Sequence, residues 1–143
     1  MDWKNKVLNP KGWLIAFGVL FLLAGTGNYL TAETAAETAY PDPTDRDVFY
    51  EQTFGLFTMA LAVMALTTAL VVTGRPLSIL AMTSSGVMIV MMSLHYMAGE
   101  AVEYGYNDPV VLGVVLTLIA TMGISGYLHL NDEEAEDAPA AEA

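Results

Sequence analysis

The side chains with the clearest chemical potential are one histidine and three glutamates near the ends of long apolar segments. His95 lies about one turn before the end of the third such segment, and Glu100 and Glu103 follow it. Glu51 lies just before the second segment. Imidazole and carboxylate groups together are ligands for Zn²⁺, Mn²⁺ and non-haem iron. These four residues are therefore the candidate metal ligands of the chain.

The spacing of these residues leaves a second interpretation open. His95 and Glu100 are five positions apart, which places them on different faces of a helix. The chain contains no Glu-x-x-His ligand pair of the di-iron bundle kind. In the second interpretation, His95 is an interfacial histidine with a nitrogen reaching water, and the glutamates are solvated loop charges.

Tyrosine and tryptophan are the residues that concentrate where a membrane meets water. Six of the seven tyrosines, all but Tyr127, fall at the same predicted boundary as His95. We expect the following residues at the two membrane interfaces: Trp3, Trp13, Tyr29, Tyr50, Tyr96, Tyr104, Tyr106 and Tyr127.

Uncharged polar groups within the apolar segments are few. Asn28 is the only amide, and a small polar patch near the centre of the third segment consists of Thr83, Ser84, Ser85 and Gly86. Small residues let helices approach closely in lipid, and hydroxyl and amide groups hydrogen-bond between helices. We therefore expect the patch to pack against another helix and Asn28 to form an interhelical hydrogen bond.

Four apolar segments must position all of these side chains. They cover residues 12–32, 53–73, 78–98 and 109–129, and none contains Asp, Glu, Lys or Arg. A helix of about 20 residues crosses the hydrocarbon core of a bilayer, and a charge at its centre costs at least about 2.5 kcal/mol. The sequence predicts an all-α integral membrane protein, an up-and-down four-helix bundle with short loops.

The connections carry local signals for where helices begin and end. The alternating Ala-Glu-Thr-Ala run over 32–39 predicts that the first helix continues past the bilayer until Pro41 and Pro43 end it. Thr44 to Asp47 resembles a capping box with Asp in place of Glu, and Asp108-Pro109 predicts a capped start for the fourth helix. The turn at 74–76 predicts that the second and third helices are antiparallel neighbours.

The chain divides into a membrane domain and a tail. Residues 1–130 form the predicted four-span domain, and the acidic residues 131–143 have no apolar periodicity, which is typical of a disordered tail. Three lysines precede the first segment and Arg75 lies in the 74–76 turn, whereas Arg46 is the only base in the other two connections. By the positive-inside rule, both termini are cytoplasmic, and we expect the cytoplasmic or inner membrane of a prokaryote.

Composition excludes several function classes. The 143 residues hold 16 carboxylates, 5 Lys or Arg and no cysteine, so thiolate metal sites, iron–sulfur clusters and a nucleic-acid surface are excluded. His95 and His129 lie near opposite membrane surfaces, about 30 Å apart, so one subunit cannot place both on a haem iron. The sequence identifies no cofactor and no nucleophile–base pair, so the chain is more typical of a protein that is not an enzyme.

Two functions are compatible with these observations. The first is a non-enzymatic accessory or scaffold subunit of a membrane assembly, whose partners are the lipid bilayer and either other membrane subunits or further copies of itself. The alternative is a small-molecule or cation-handling protein that transports or binds its ligand at the acidic and aromatic mouth around His95, Glu51, Glu100 and Glu103.

Overall fold

The computed structural model describes residues 7–132, and within this range it is entirely helical. The five helices are α1 Pro10–Leu30, α2 Ala32–Ala39, α3 Asp45–Val71, α4 Gly74–Glu100 and α5 Pro109–Leu128. All except α2 are long and apolar enough to cross a membrane. The predicted all-α bundle with four membrane-spanning helices is confirmed. The expectations for Trp3 and for the tail beyond Asp132 lie outside the described residues.

Side-chain caps begin α1 and α5, and the cap of α5 at Asp108 is the predicted one. The Asn9 side chain accepts hydrogen bonds from the backbone N–H of Lys11 (2.9 Å) and Gly12 (3.3 Å) at the start of α1. The Asp108 carboxylate accepts from Val110 N–H (2.7 Å) and Val111 N–H (3.1 Å) at the start of α5. These caps satisfy backbone donors that the first turn of a helix leaves free.

The capping box sets the start of α3 well before its apolar run. The Asp47 carboxylate accepts hydrogen bonds from Thr44 N–H (2.8 Å) and from the Thr44 hydroxyl (2.6 Å). Helix α3 therefore begins at Asp45, two turns before the apolar segment that starts at residue 53. This extension makes residues 45–52, which include Glu51, part of the helix.

The expected continuation of the first helix is interrupted at one residue. Thr31 leaves the helical conformation (φ −118°, ψ 35°), so α1 ends at Leu30 and α2 is a separate short helix. The Thr31 hydroxyl bonds back to the Gly27 carbonyl (2.9 Å). Helix α2 buries four alanines and ends at Ala39, just before the prolines that the sequence marks as the stop. The four buried alanines of α2 lie on one face of this short helix.

Small residues join the long helices into two pairs. Helix α1 packs closely on α3, where Gly25 and Gly55 face each other and leave no space for a Cβ atom on either. Helix α4 packs closely on α5, where Gly126 lies against the Ser78 carbonyl. We call these the first pair (α1 and α3) and the second pair (α4 and α5).

The second and third membrane helices, predicted to be antiparallel neighbours, do not form one of the close helix contacts of the bundle. Helices α3 and α4 follow each other in the chain but make few close backbone approaches. The physical reason is that the small residues of α3 face α1 and those of α4 face α5. The contact between α3 and α4 includes the stacked rings of Phe54 and His95, which are both exposed.

The buried core and the exposed surface are both apolar. The buried core cluster draws on all four long helices and consists of Leu14, Phe17, Ala69, Leu77, Ala81, Ile119 and Met122. Only about a fifth of the apolar window of each long helix is buried, between 17% and 22%. Large apolar side chains such as Leu23, Phe57 and Val110 are exposed. A surface of this kind faces lipid, so the chain is an integral membrane protein.

The acidic connections lie together at one end of the bundle. We call this the acidic end and define it as residues 32–51 and 99–108. The core cluster lies toward the other end, where α1 begins and where α3 is joined to α4.

Candidate functional site

Glu51 is the one carboxylate among residues 7–132 that the fold buries, with 3% of its surface exposed. It lies in the second turn of α3, and Gly55 follows one turn later. Because Gly55 has no side chain, the α1 backbone approaches at Gly25 and Tyr29. This approach brings Asn28 of α1 directly beside Glu51.

Two neutral donors bind the two carboxylate oxygens of Glu51. The Asn28 Nδ2 group donates to Glu51 Oε2 (2.9 Å) and also to the Glu51 backbone carbonyl (2.8 Å). The Tyr104 hydroxyl donates to Glu51 Oε1 (3.0 Å). A buried carboxylate is tolerated only where such hydrogen bonds replace water, so Asn28 and Tyr104 are what permit Glu51 to be buried.

Backbone contacts hold Tyr104 in place within the connection between α4 and α5. Tyr104 N–H donates to the Gly99 carbonyl (3.0 Å), and Gly105 N–H donates to the Ala39 carbonyl (2.9 Å). Gly105 lies against the Thr38 carbonyl, with no space for a Cβ atom. The connection is therefore fastened to α4 on one side and to the end of α2 on the other.

Aromatic rings surround Tyr104. Its ring centroid lies 5.5 Å from that of Tyr40, 5.7 Å from that of His95 and 5.7 Å from that of Tyr106, all in edge-on geometry. His95 in turn stacks on Phe54 at 6.3 Å. Edge-on and offset arrangements are the favoured contacts between such rings. His95 thus serves as an aromatic contact between α3 and α4.

Burial and the neighbouring Glu51 carboxylate favour the protonated phenols of Tyr104 and Tyr40. Burial of the phenol, followed by the negative charge of Glu51, raises the pKa of Tyr104 well above its ordinary value. The same two causes raise the pKa of Tyr40. A neutral phenol is a hydrogen-bond donor, so the direction of these pKa shifts agrees with Tyr104 donating to the Glu51 carboxylate.

The structure separates the four candidate metal ligands. Glu51 is occupied by neutral donors, and Glu100 accepts from the Tyr96 hydroxyl (2.8 Å) at the surface. Glu103 is exposed and has a left-handed backbone (φ 54°) in the connection. Among the residues that the structure describes, no three His, Asp or Glu side chains converge as metal ligands. The four residues share one end of the bundle without forming one ligand set.

The solvated-charge interpretation holds for two of the glutamates and fails for the third. Glu100 and Glu103 are exposed, as that interpretation expects. Glu51 is not solvated, because α1 and the Tyr104 connection cover it. The predicted interhelical hydrogen bond of Asn28 is present, and its partner is this carboxylate.

The small polar patch of α4 divides between two helix faces. Ser85 is buried and donates to the Ile119 carbonyl of α5 (2.6 Å). Thr83 is exposed and bonds back to the Ile79 carbonyl of its own helix (2.9 Å). Ser84 is partly exposed, and Gly86 has open space where a Cβ atom would lie. Within this patch, Ser85 makes the hydrogen bond to another helix.

The aromatic residues expected at the interfaces also divide into two groups. Tyr29, Tyr50, Tyr106 and Tyr127 are exposed, and Tyr96 is partly exposed. Trp13 donates from Nε1 to the Val7 carbonyl (2.9 Å) near the start of α1. Tyr104 differs because its hydroxyl faces Glu51. Tyr40 belongs to this second group, and sequence reasoning did not single it out.

His129, the second histidine, lies at the other end of the bundle. Its Nδ1 atom is 2.9 Å from the Ser125 carbonyl, and its Nε2 atom is 3.8 Å from the Asp132 carboxylate. His95 and His129 therefore belong to separate surroundings.

Comparison with protein-family models, with curated protein sequences and with solved structures found no match for the chain. The geometry around Glu51 and the surface of the acidic end are therefore the basis for any proposal on function.

Proposed function

We propose that this protein is a non-enzymatic subunit of a membrane assembly and that its acidic end is the surface that meets a partner. The observation that carries the proposal is the buried Glu51 carboxylate, bound by Asn28 of α1 and by Tyr104 of the α4–α5 connection. These contacts hold the two connections as one folded surface. A pre-ordered surface loses less conformational entropy when it binds than a flexible one does.

The charge of this surface indicates the kind of partner. Arg46 is the only Lys or Arg in the acidic end. Its exposed carboxylates are those of Glu33, Glu37, Asp42, Asp45, Glu100, Glu103 and Asp108. An array of one sign attracts a surface of the opposite sign and speeds their encounter. We therefore propose a partner that presents basic residues on this side of the membrane, either another membrane subunit or a different surface of a second copy.

Native mass spectrometry in mild detergent, together with crosslinking in the source membrane, tests this proposal. We expect a complex of defined stoichiometry that weakens when salt is raised, because salt screens exposed charges. The double variant Glu33→Gln and Glu37→Gln should weaken the complex, whereas Thr34→Gln on the same helix should not. A strictly monomeric chain without crosslinked neighbours would contradict the proposal.

We further propose that the acidic end is the outer side and that both termini are cytoplasmic, in the cytoplasmic membrane of a prokaryote. Lys11 and Arg75, which the positive-inside rule uses, lie at the end of the bundle opposite the acidic end. The basic partner surface would then be extracytoplasmic.

One observation favours the alternative of cation handling. An open groove of about 290 Å³ between α2 and the start of α3 is lined by three carboxylates and by the apolar side chains of Pro43 and Val48; the carboxylates are those of Glu33, Glu37 and Asp45. This combination suits a monovalent organic cation with an apolar body.

Elemental analysis and calorimetry separate this alternative from the subunit role. Stoichiometric metal that is lost in His95→Ala would support a metal site of the four candidate ligands. Binding of a test cation such as tetraethylammonium that is lost in Glu33→Gln with Glu37→Gln would support the groove. Neither result is expected of a protein that acts only as a subunit.

A further inference from the structure

The two helix pairs contact each other differently at the two ends of the bundle. Away from the acidic end, side chains from all four long helices form the buried apolar cluster that includes Phe17, Ala69 and Ile119. The short link between α3 and α4 lies at the same end, where Gly74 adopts a left-handed backbone (φ 63°) that suits glycine. At this end the pairs are joined by packing and by the chain itself.

At the acidic end, a few directional contacts join the pairs. The Tyr104 hydroxyl donates to Glu51 on α3, and Gly105 N–H donates to the Ala39 carbonyl at the end of α2. Ring contacts add to these, with Tyr104 edge-on to Tyr40 and His95 stacked on Phe54. We call the four contacts made by Glu51, Ala39, Tyr40 and Phe54 with the second pair and its connection the latch.

We propose that the latch is a conformational device: when it releases, the second pair tilts away from the first at the acidic end and pivots on the apolar cluster. The cleft that opens between the pairs exposes the Glu51 carboxylate and the Asn28 amide to water. The inference concerns the chain alone and does not depend on the subunit role proposed above.

The chemistry of the two ends decides which end opens. Polar groups of the latch lie at the water-facing end of the bundle, so water can replace their hydrogen bonds once they separate. The apolar cluster gains no hydrogen bond on separating and loses the close packing of its side chains, and the short link between α3 and α4 tethers the two pairs at the same end. Each pair stays together during the motion, because the backbones of its two helices are in close contact. These contacts are at Gly25 and Gly55 in the first pair and at Gly126 and Ser78 in the second.

Distances between spin labels measured by pulsed electron resonance on the full chain test the latch. The chain has no cysteine, so introduced cysteines are the only labelling sites. One label pair, Thr34→Cys with Val102→Cys, joins exposed positions of α2 and the α4–α5 connection. The other, Lys11→Cys with Tyr127→Cys, joins exposed positions of α1 and α5 at the opposite end.

The variant Tyr104→Phe removes the hydroxyl that binds Glu51 and keeps the ring. We expect a second, longer distance to appear for the label pair at the acidic end, and an unchanged distribution for the pair at the opposite end. Tyr106→Phe is the matched control, because this exposed tyrosine lies in the same connection and its side chain contacts the ring of Tyr104 rather than Glu51. It should leave both distributions as in the unmodified chain.

Two results would overturn the proposal. The first is a Tyr104→Phe distribution at the acidic end that superimposes on that of the unmodified chain. The second is equal broadening at both ends, which would indicate general loosening without a pivot. If Tyr104→Phe fails to fold, Glu51→Gln is the second variant: it keeps the shape of the side chain, removes its charge, and should populate the longer distance to a smaller extent. Its failure to do so would equally contradict the latch.

Discussion

The closest backbone approach in the first pair gives a prediction whose magnitude follows from the structure. A Cβ atom added at Gly55 would lie 2.7 Å from the Gly25 carbonyl oxygen and 2.8 Å from Tyr29 N. Ordinary contacts begin at 3.4 Å. Both neighbours are backbone atoms of a helix, which cannot rotate away as a side chain can. Gly55→Ala must therefore separate α1 from α3 by about 0.7 Å at this point.

This separation should destabilise the protein. Overpacking of a close contact costs about 1–3 kcal/mol, while replacing glycine by alanine within a helix returns up to about 1 kcal/mol through helix propensity. The separation also displaces Asn28 from Glu51, which adds the cost of a strained buried hydrogen bond. We expect a net loss of about 1–2 kcal/mol in the free energy of unfolding.

Gly27→Ala is the matched control for this measurement. Gly27 lies in the same contact region of α1 but has open space where its Cβ atom would be, so the change should be neutral or stabilising. The assay is unfolding of both variants by sodium dodecyl sulfate in mixed micelles, followed by circular dichroism. If Gly55→Ala proves as stable as Gly27→Ala, the close approach of α1 and α3 at Gly25 is wrong.

Three further predictions concern the acidic end. Tyr104→Phe leaves Glu51 Oε1 without its tyrosine donor and should lower the free energy of unfolding by about 1.5–3 kcal/mol in the same assay, with Tyr106→Phe near zero. The raised pKa of Tyr104 means that the folded state binds this proton more tightly than the unfolded chain does, whose tyrosines titrate near pH 10. Stability from this residue is therefore complete below about pH 10 and lost as pH rises through its folded-state pKa. The tyrosinate absorbance gained near pH 10 should be the same in Tyr104→Phe as in the unmodified chain, and a smaller gain in the variant would contradict the raised pKa of Tyr104. In sealed cells, a membrane-impermeant maleimide should label Val102→Cys and not Lys11→Cys, and the reverse pattern would refute the proposed orientation.

The helices themselves were predictable because their signals are local. Absence of charge over about 20 residues marks each membrane span, and Asp47 and Asp108 mark helix starts through hydrogen bonds to residues within three positions. The break at Thr31 was not predicted, because alanine-rich sequence favours a continuous helix. The alanines of α2 are buried against the rest of the fold, which is a tertiary effect that the local sequence does not reveal.

The candidate site was predictable in its members and not in its arrangement. The sequence singles out Glu51, Asn28 and Tyr104 separately, as a loop charge, an interhelical amide and an interfacial aromatic residue. Their convergence requires the backbone approach at Gly25 and Gly55, and these glycines are 30 positions apart in the chain. The sequence did contain a usable signal. Asn28 lies three residues after Gly25, and Glu51 lies four residues before Gly55, so each polar group is about one helical turn from the glycine contact.

Lipid changes which of these contacts determines the shape of the protein. In water, the apolar cluster at Phe17 and Ile119 would dominate, because burial of apolar surface drives association. In a bilayer, lipid tails solvate those side chains equally well, so the cluster holds the two pairs only by its packing. The hydrogen bond from Tyr104 to Glu51 has no equivalent partner among lipid tails, and water competes for it only at the membrane surface. The relative position of the two pairs at the acidic end therefore depends on a few polar groups, which is why removal of a single hydroxyl should have a measurable effect there.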